Sequence, residues 1–245
     1  MARPVFIIDG SRTPFLKARS GPGPFTPVDL AVQCGRPLLA RQPFAPSAFD
    51  QVILGCVNVI ADEMNPARVT ALRLGMGEAM VAFTVQINCG SGMQSIDTAY
   101  RYIGEGASDL ILAGGSEALS YAPLVWPQQG VQWFAGLAGA KGALAKIAAL
   151  TKVRPGYFKP VIGLERGLTD PITELNMGQT AEAVGHLFGI TREQSDVYAT
   201  ESHRRLANAQ AQGFLKGEVE TAFGPDGKFY DHDDGVRPES TPENL

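Results

Sequence analysis

The segment from Gln86 to Ser95 reads QINCGSGMQS and sets one cysteine, Cys89, between two different hydrophobic patterns. Upstream, residues 82–87 form an apolar, β-branched run of the kind that fills the interior of a sheet. Downstream, apolar residues recur at helical spacing at Ile96, Ala99, Tyr100 and Ile103. The segment therefore predicts a buried strand that turns directly into a helix, with Cys89 near the N-terminus of that helix.

This position of Cys89 is typical of a nucleophile. Free backbone N–H groups and the positive end of the helix dipole favour an anion at a helix N-terminus, so a thiolate is stabilised there. The small residues Gly90 to Gly92 leave room for a substrate, and the N–H of Cys89 is a candidate donor to an oxyanion. A buried structural cysteine at a tight turn is the alternative, because free cysteine is among the most buried residue types. Taken alone, the residue leaves both interpretations open.

The first half of the chain alternates between strand and helix patterns. The predicted elements are a strand over 5–8, a helix from Thr26-Pro27 to about Leu39, a strand over 49–57, a helix from Asn65-Pro66 to Gly75, and a strand over 110–113. This order predicts an α/β fold with a parallel-rich sheet and helices on its faces. The N-terminus, Met1-Ala2-Arg3-Pro4, is expected to run directly into the first strand without a targeting segment.

From about Ser120 the alternation stops, which predicts a domain boundary. We expect residues 1–119 to form the α/β domain and residues 120–245 to form a mainly helical insertion. Helices are predicted over 134–150, over 177–188, and from a capping box at 191–194 to about Gln212, with the next strand only at 218–223. The 134–150 helix carries Lys141 and Lys146. Three functional interpretations are open: a membrane-surface helix, a partner-docking helix and a cap over an acyl tunnel. The structural alternative is a helix that packs on its own domain with solvated lysines.

Composition narrows the class of protein. The 245 residues are 44% hydrophobic and 19% charged, which is ordinary for a globular protein. The net charge of -4 argues against a nucleic-acid binder but allows a local basic patch. Three cysteines, Cys34, Cys56 and Cys89, lack metal-type spacing and predict reduced thiols in a cytoplasmic protein.

The consecutive residues Asp231-His232-Asp233-Asp234 indicate a solvated acidic turn rather than a metal site. No stretch of the sequence is long and apolar enough to span a bilayer.

Two segments resemble one known family. Asn88 to Gln94 resembles the nucleophile segment of the thiolases, the acyl-CoA C-acyltransferases, and Gly114 to Ser120 resembles their Gly-Gly-x-Glu-x-x-Ser strand end. Four further segments resemble thiolases in the same order: Arg12 to Phe15, Asn65 to Arg68, Gly167 to Asp170, and Met177 to Glu182. Their ordered co-occurrence across nearly the whole chain is more specific than any one tetrapeptide.

The resemblance implies a thiolase-like layered α-β-α half and an insertion (loop) domain that binds CoA. Cys89 would take an acyl group as a thioester and pass it to coenzyme A or to the carbanion of acetyl-CoA. Leu168 and Met177 match positions that line the pantetheine tunnel, and His203 falls where the family has a polar residue of the CoA pocket. The alternatives are a core position for the first two and a solvated helix face for His203. Coenzyme A is implied as a substrate, with no permanently bound cofactor or metal.

The chain also departs from the family pattern. The Gly-His-Pro, Cys-x-Gly-Gly-Gly and Asn-Glu-Ala-Phe segments of the family's second half are absent, and residues 237–245 resemble the run just before that half. We therefore expect the C-terminal thiolase domain to be absent and the 245 residues alone to be inactive. The alternatives are a non-catalytic thiolase-like binding or assembly subunit and a ketoacyl-synthase-type condensing enzyme. Gln86 to Asn88 and Asn65 to Arg68 resemble segments near thiolase subunit contacts, so a homodimer or homotetramer is expected.

Overall fold

The computed structural model describes residues 3–18 and 21–245. The sequence predicts that Met1 to Pro4 lead directly into a first strand. Met1 and Ala2 lie outside the described residues. The chain forms two compact units, one from residues 1–121 together with 189–245, the other from residues 122–188. Short 3-10 turns occur at Pro46–Ala48, Ala61–Glu63, Leu119–Tyr121, Pro155–Phe158 and Pro242–Asn244. No helix in the described ranges is both long and apolar enough to cross a membrane.

A parallel sheet lies at the centre of the first unit. Strand β1 (Gln51–Gly55) pairs with β2 (Val81–Val85) on one side and with β3 (Ile111–Gly115) on the other, both in parallel. The α/β prediction with a parallel sheet is confirmed. The strand before Cys89 was expected to fill the sheet interior, and this expectation is wrong. Within the described residues, β2 pairs on one side only and its side chains are exposed to half-buried.

Helices cover both faces of this sheet. Helix α1 (Pro27–Ala40) begins at Thr26, and α2 (Pro66–Arg73) begins at Asn65; each cap side chain accepts a backbone N–H, and proline follows each cap. Both helices pack on the face that carries Val52 and Leu54, and together they form the main hydrophobic cluster. Ile53 lies between those two residues and is fully buried, so it faces the opposite side of the sheet. Helix α3 (Ser91–Glu105) covers that side, which confirms the layered α-β-α half.

The predicted N-terminal strand is wrong. Residues 5–8 form no strand, and Phe6, Ile7 and Ile8 are 77%, 88% and 66% exposed. Ionic contacts hold the segment at its ends instead, since Arg3 pairs with Asp109 at 2.7 Å and Asp9 pairs with Arg41 at 2.7 Å. An apolar, β-branched run favours a strand only where a neighbouring strand can pair with it, and none of the described strands does.

The second unit is small and mainly helical. It contains, in order, β4 (Leu124–Val125), α4 (Gln128–Gly139), α5 (Ala143–Leu150), β5 (Val161–Ile162), α6 (Gly163–Gly167) and α7 (Met177–Phe188). The single helix predicted over 134–150 is wrong, because Gly142 adopts a φ of +84° and separates α4 from α5. The prediction of a helix over 177–188 is confirmed. Aromatic rings pack edge to face at its centre, with Trp133 and Phe134 having ring centroids 4.9 Å apart.

Residues 189–245 group with the first unit, whereas the sequence predicts one insertion from 120 to 245. This part contains α8 (Arg192–Ala211), which starts at the predicted capping box of Thr191, and the short strands β6 (Ala222–Phe223) and β7 (Phe229–Tyr230). Contacts of Arg12 explain why residues 189–245 group with the first unit. Its backbone pairs with Glu218 and Glu220, and its guanidinium binds both carboxylate oxygens of Asp233 at 2.8 and 2.9 Å.

Asp233 corrects the expectation of a solvated acidic turn. Its side chain is only 6% exposed, and it also accepts the backbone N–H of Phe15 at 2.7 Å. The hydrogen bonds from Arg12 hold the pKa of Asp233 below its usual value. Asp233 therefore connects the start of the chain to its last forty residues.

Replacing Asp233 by alanine leaves the guanidinium of Arg12 and the N–H of Phe15 without this acceptor. We expect the free energy of unfolding at pH 7 to fall by about 3 kcal/mol, measured by urea denaturation. The matched control is Asp226→Ala, which removes an exposed pair with Lys228 and should cost less than about 1 kcal/mol.

The same variant has a predictable pH dependence. A carboxyl whose pKa is lowered on folding stabilises the protein above its unfolded pKa of about 3.9, and this contribution is lost as the pH falls through the lower folded value. The stability difference between wild type and Asp233→Ala should therefore shrink below about pH 4. A difference unchanged from pH 7 to pH 3 would contradict the role given to this ion pair.

Candidate active site

Cys89 lies in the turn between β2 and α3, two residues before the first residue of the helix. The predicted strand-to-helix junction is confirmed. Cys89 is exposed, so the alternative prediction of a buried structural cysteine is wrong. The chemical role of Cys89 as a nucleophile stays a prediction.

Hydrogen bonds of Ser91 fix the shape of this turn. Its hydroxyl accepts the N–H of Ile87 at 2.9 Å and donates to the carbonyl of Asn88 at 2.6 Å. Asn88 has a φ of +55°, a left-handed conformation that asparagine tolerates better than most residues. Among the described residues, the N–H of Cys89 finds no acceptor and its sulfur makes no hydrogen bond. The turn thus carries an exposed cysteine whose backbone N–H is not used by another described residue.

Glycines allow the first turn of α3 to lie directly on the ends of two strands. A Cβ atom placed on Gly55, the last residue of β1, would meet the carbonyl carbon of Ser91 at 2.2 Å and the nitrogen of Gly92 at 2.5 Å. At the end of β3, a Cβ on Gly115 would meet the Cα of Gly92 at 3.0 Å. Backbone therefore packs on backbone here, and any side chain would push the helix start away.

A buried serine reinforces the same contact. Ser95 is fully buried one turn into α3, and its hydroxyl has one hydrogen to donate, which the carbonyls of Gly114 on β3 at 2.6 Å and of Gly92 at 2.7 Å share. The helix start that carries Cys89 is therefore joined to the sheet by a polar contact as well as by close packing.

Glu117 fixes the loop beside this site. Its carboxylate accepts the backbone N–H of Val57 at 2.8 Å and of Asn58 at 3.1 Å, just after β1. Burial, with the charge of Glu117 as a second cause, raises the pKa of the Cys56 thiol to about 12. The sequence identified the Gly-Gly-x-Glu-x-x-Ser segment only by its resemblance to a family. In the structure its glutamate, Glu117, orders the loop at Val57 and Asn58. The close-packing role of Gly55 escaped the sequence reasoning, although a glycine at a strand end is a recognised signal of backbone approach.

The other predicted site residues fall in both units. Leu168 and Met177 lie in the second unit, where the N–H of Met177 donates to the carbonyl of Leu168 at 3.1 Å. They are 44% and 45% exposed, so the core alternative does not apply to them. Met177 also lines a surface cavity of about 290 Å³ together with Leu175, Val184 and Leu187.

His203 lies in the first unit on α8 and is half-buried. Its Nδ1 accepts the backbone N–H of Arg237 at 3.1 Å, so His203 is not the freely solvated residue of the alternative reading. A larger surface groove of about 1070 Å³ along α8 is lined by residues from Thr191 to Leu206, and neither His203 nor Cys89 is among them. In the described ranges no three His, Cys, Asp or Glu side chains converge on a possible metal position.

The chain is similar to proteins of one family. The family model described as Thiolase, N-terminal domain, matches residues 5–245. The 3-oxoadipyl-CoA/3-oxo-5,6-dehydrosuberyl-CoA thiolase of Escherichia coli (strain K12) is 34% identical over 99% of this chain and 58% of its own length. A 3-ketoacyl-CoA thiolase of Aeromonas hydrophila is 32% identical over 98% of this chain and 56% of its own length. The chain thus spans little more than half the length of these relatives.

One solved structure extends this likeness to three dimensions. Human mitochondrial 3-ketoacyl-CoA thiolase in complex with CoA superposes on this chain with a TM-score of 0.78 at 28% identity. The superposition covers 96% of this chain and 54% of that chain.

The close packing of α3 can be tested with two glycine variants. Gly55→Ala forces a methyl group against backbone atoms of Ser91 that cannot rotate away, and we expect it to lower the free energy of unfolding by about 3 kcal/mol. Gly114→Ala is the matched control, since its nearest neighbour is a side-chain atom of Leu54 at 3.9 Å and ordinary contact is expected. Equal stability of the two variants in urea denaturation would show that the helix start does not depend on this contact.

The exposure of the three cysteines predicts an order of alkylation. We expect iodoacetamide to label Cys89 faster than Cys34 or Cys56, because Cys89 is exposed while burial raises the pKa of both other thiols. At pH 8 only roughly one in 10⁴ Cys56 side chains is a thiolate. Peptide mass spectrometry over a time course measures the order, and labelling in denaturant, where the differences should collapse, is the control. Earlier labelling of Cys34 or Cys56 in the folded protein would contradict the geometry of the turn.

Proposed function

The chain belongs to the thiolase family, whose N-terminal domain model it matches over residues 5–245, and we propose that it supplies the nucleophile-bearing half of an acyl-CoA C-acyltransferase. The reaction is the cleavage of a 3-ketoacyl-CoA by CoA, or the reverse condensation of acetyl-CoA units. One observation carries the proposal: Cys89 is exposed in a tight turn at a helix N-terminus, and its own N–H has no acceptor within residues 3–18 and 21–245.

Cys89 suits both stages of such a reaction. In cleavage, its thiolate attacks the 3-keto carbon, the bond between C2 and C3 breaks, and acetyl-CoA leaves as a carbanion that takes a proton. The thiolate of CoA then attacks the resulting thioester and releases Cys89 as a thiolate. A thiolate is both a strong nucleophile and a good leaving group, so one side chain serves both steps. The N–H of Cys89 and the start of α3 are the donors we propose for the oxyanion that forms in each step.

We assign contacts with CoA to Leu168 and Met177 in the second unit and, as a separate assignment, to His203 on α8 in the first. Leu168 and Met177 expose apolar surface side by side, which fits the pantetheine arm of CoA. His203 keeps its Nε2 edge for a polar contact, since Nδ1 already accepts a backbone N–H. Relatives named for CoA thioester substrates, and a related structure solved in complex with CoA, support this assignment.

A second copy of the chain is part of the proposal. Strand β2 has an unpaired edge within the described residues, and Val81 and Ile87, at and just beyond its two ends, are 55% and 52% exposed. An open strand edge with apolar neighbours readily pairs with another chain. We infer a homodimer that uses this edge and the adjoining residues 86–88.

A non-catalytic binding or assembly subunit is the second candidate, and one observation favours it. Among the described residues, no imidazole or carboxylate hydrogen bonds to the sulfur of Cys89, although nucleophilic cysteines are usually paired with a base. Of the three histidines, His203 contacts Arg237 and His232 contacts Asp231, and His186 is exposed on α7. The two candidates differ in whether Cys89 accepts an acyl group.

We expect the 245-residue chain alone to show no thiolysis of acetoacetyl-CoA. Loss of one positioned general acid or base typically costs about 10²–10⁴-fold in rate, and the reaction needs more than one. On prolonged incubation with acetyl-CoA, however, an acetyl group should appear on Cys89 before it appears on Cys34, as measured by peptide mass spectrometry.

Cys89→Ala is the control, and it should remove acetylation from the segment around residue 89 without exposing Cys34. Absence of any acetyl group on Cys89 would favour the non-catalytic candidate. Clear thiolysis that Cys89→Ala abolishes would instead show that the general base lies within this chain.

A further inference from the structure

Helix α5 turns its large apolar side chains outward. Leu144, Ile147 and Leu150 share one face of the helix and are 86%, 57% and 49% exposed. Ala149, on the opposite face, is the only residue of α5 that is not exposed, and its carbonyl accepts the indole N–H of Trp133 at 2.9 Å. The helix therefore packs on its own unit through alanine and presents its leucine and isoleucine side chains to the surroundings. A helix folded only onto its own unit would have the reverse arrangement.

The chain around α5 contains basic residues and no acidic ones. Between Glu117 and Glu165 the sequence contains no acidic residue, while five basic residues occur in a chain whose net charge is -4: Lys141, Lys146, Lys152, Arg154 and Lys159. All five are exposed. In the described part of the chain, none of them forms an ion pair with a carboxylate. Lys146 lies next to the apolar stripe on the helix, at about 40° from Leu150 by helical geometry.

We propose that α5 and the basic residues beside it bind the surface of an anionic lipid bilayer. An eight-residue helix is far too short to span a bilayer, but its outward stripe of Leu144, Ile147 and Leu150 can enter the boundary between headgroups and acyl chains. The neighbouring cations then lie at the level of the anionic headgroups, which attract them. Apolar contact and charge attraction thus act on the same face.

Charge distinguishes this occupant from a protein partner. Lysine is depleted in protein–protein interfaces relative to the rest of the surface, whereas Lys146 lies beside the apolar stripe and Lys141 and Lys152 flank α5 in the sequence. A soluble polyanion would match the cations but would leave Leu144 and Ile147 in water. An anionic bilayer matches the apolar stripe and the cations together.

Vesicle sedimentation of the 245-residue chain tests the proposal. We expect binding to vesicles of phosphatidylcholine with phosphatidylglycerol, weaker binding at high salt, and little binding to phosphatidylcholine alone. Lys146→Gln/Lys152→Gln should lower the partition coefficient roughly 25-fold, at about fivefold per cation. The matched control, Lys17→Gln/Lys216→Gln, removes two exposed lysines of the first unit and should leave binding unchanged.

The apolar stripe has its own matched pair of variants. Leu144→Ser/Ile147→Ser should lower binding at least about tenfold, because two inserted side chains are lost. Ile172→Ser/Leu187→Ser changes two apolar residues of the same unit that are at least as exposed, at 88% and 77%, and should have no effect. All four positions are at the surface, so circular dichroism is expected to stay the same.

Three results would overturn the proposal. They are absence of binding to anionic vesicles, equal binding to zwitterionic vesicles, and binding that the Lys146/Lys152 and Leu144/Ile147 variants leave intact. A chain that does not bind vesicles can still self-associate in light scattering. If Leu144→Ser/Ile147→Ser abolishes that self-association, the stripe is an interface between copies of the chain. Acetylation of Cys89 is measured without vesicles, so failure here is separable from failure of the proposed acyltransferase function.

Discussion

The approach of α3 to the ends of β1 and β3 is the contact on which the arrangement around Cys89 depends. At Gly55 and Gly115 the strands end in residues without side chains, and Gly92 removes the side chain that would face Gly115 from the helix. Only this absence allows the helix start to rest on the strand ends. The turn from 86 to 90 must then connect the end of β2 to a fixed point, and Asn88 adopts a left-handed φ to do so. The exposure of Cys89 is thus a consequence of backbone packing elsewhere.

The opposite face of the sheet supplies the stability for this strained connection. Val28, Val52 and Ala67 are fully buried between α1, α2 and β1, and the caps at Thr26 and Asn65 satisfy the first N–H groups of both helices. Glu63, which is nearly buried, adds to the start of α1 by accepting the hydroxyl of Thr26 at 2.6 Å and the N–H of Val28 at 3.0 Å. The face that carries the core therefore contains no element of the turn that holds Cys89. The site can expose polar and reactive groups because its stability comes from the other side of the sheet.

Local signals in the sequence predicted local structure well. Capping residues, prolines at the first helical position and the periodicity around Cys89 act within about one turn, and the helices they predict are present. The single helix predicted over 134–150 failed for a local reason, the positive φ of Gly142. Two other failures occurred where a distant partner decides the outcome. Arg12 and Asp233 are 221 residues apart, and no local pattern indicates that they meet and return residues 189–245 to the first unit. Val5 to Ile8 has the composition of a strand, but pairing depends on a neighbour. The position of Cys89 was local and predictable, whereas the role of Gly55 required the contact to be seen.

The two units differ in what stabilises them, and this difference has a functional meaning. Within residues 122–188, only Gly130 is buried, so the unit relies on edge-to-face aromatic contacts and on the fit of Gly130 against the backbone of Tyr157. Few buried side chains imply a low free energy of local opening. A rigid sheet is needed where a sulfur must be held against a reacting carbon, because small displacements there cost rate. A loosely packed unit is better suited to surfaces that adapt to a ligand chain or to lipid. The distribution of buried area between the units therefore matches the proposed division between chemistry at Cys89 and binding around Met177 and α5.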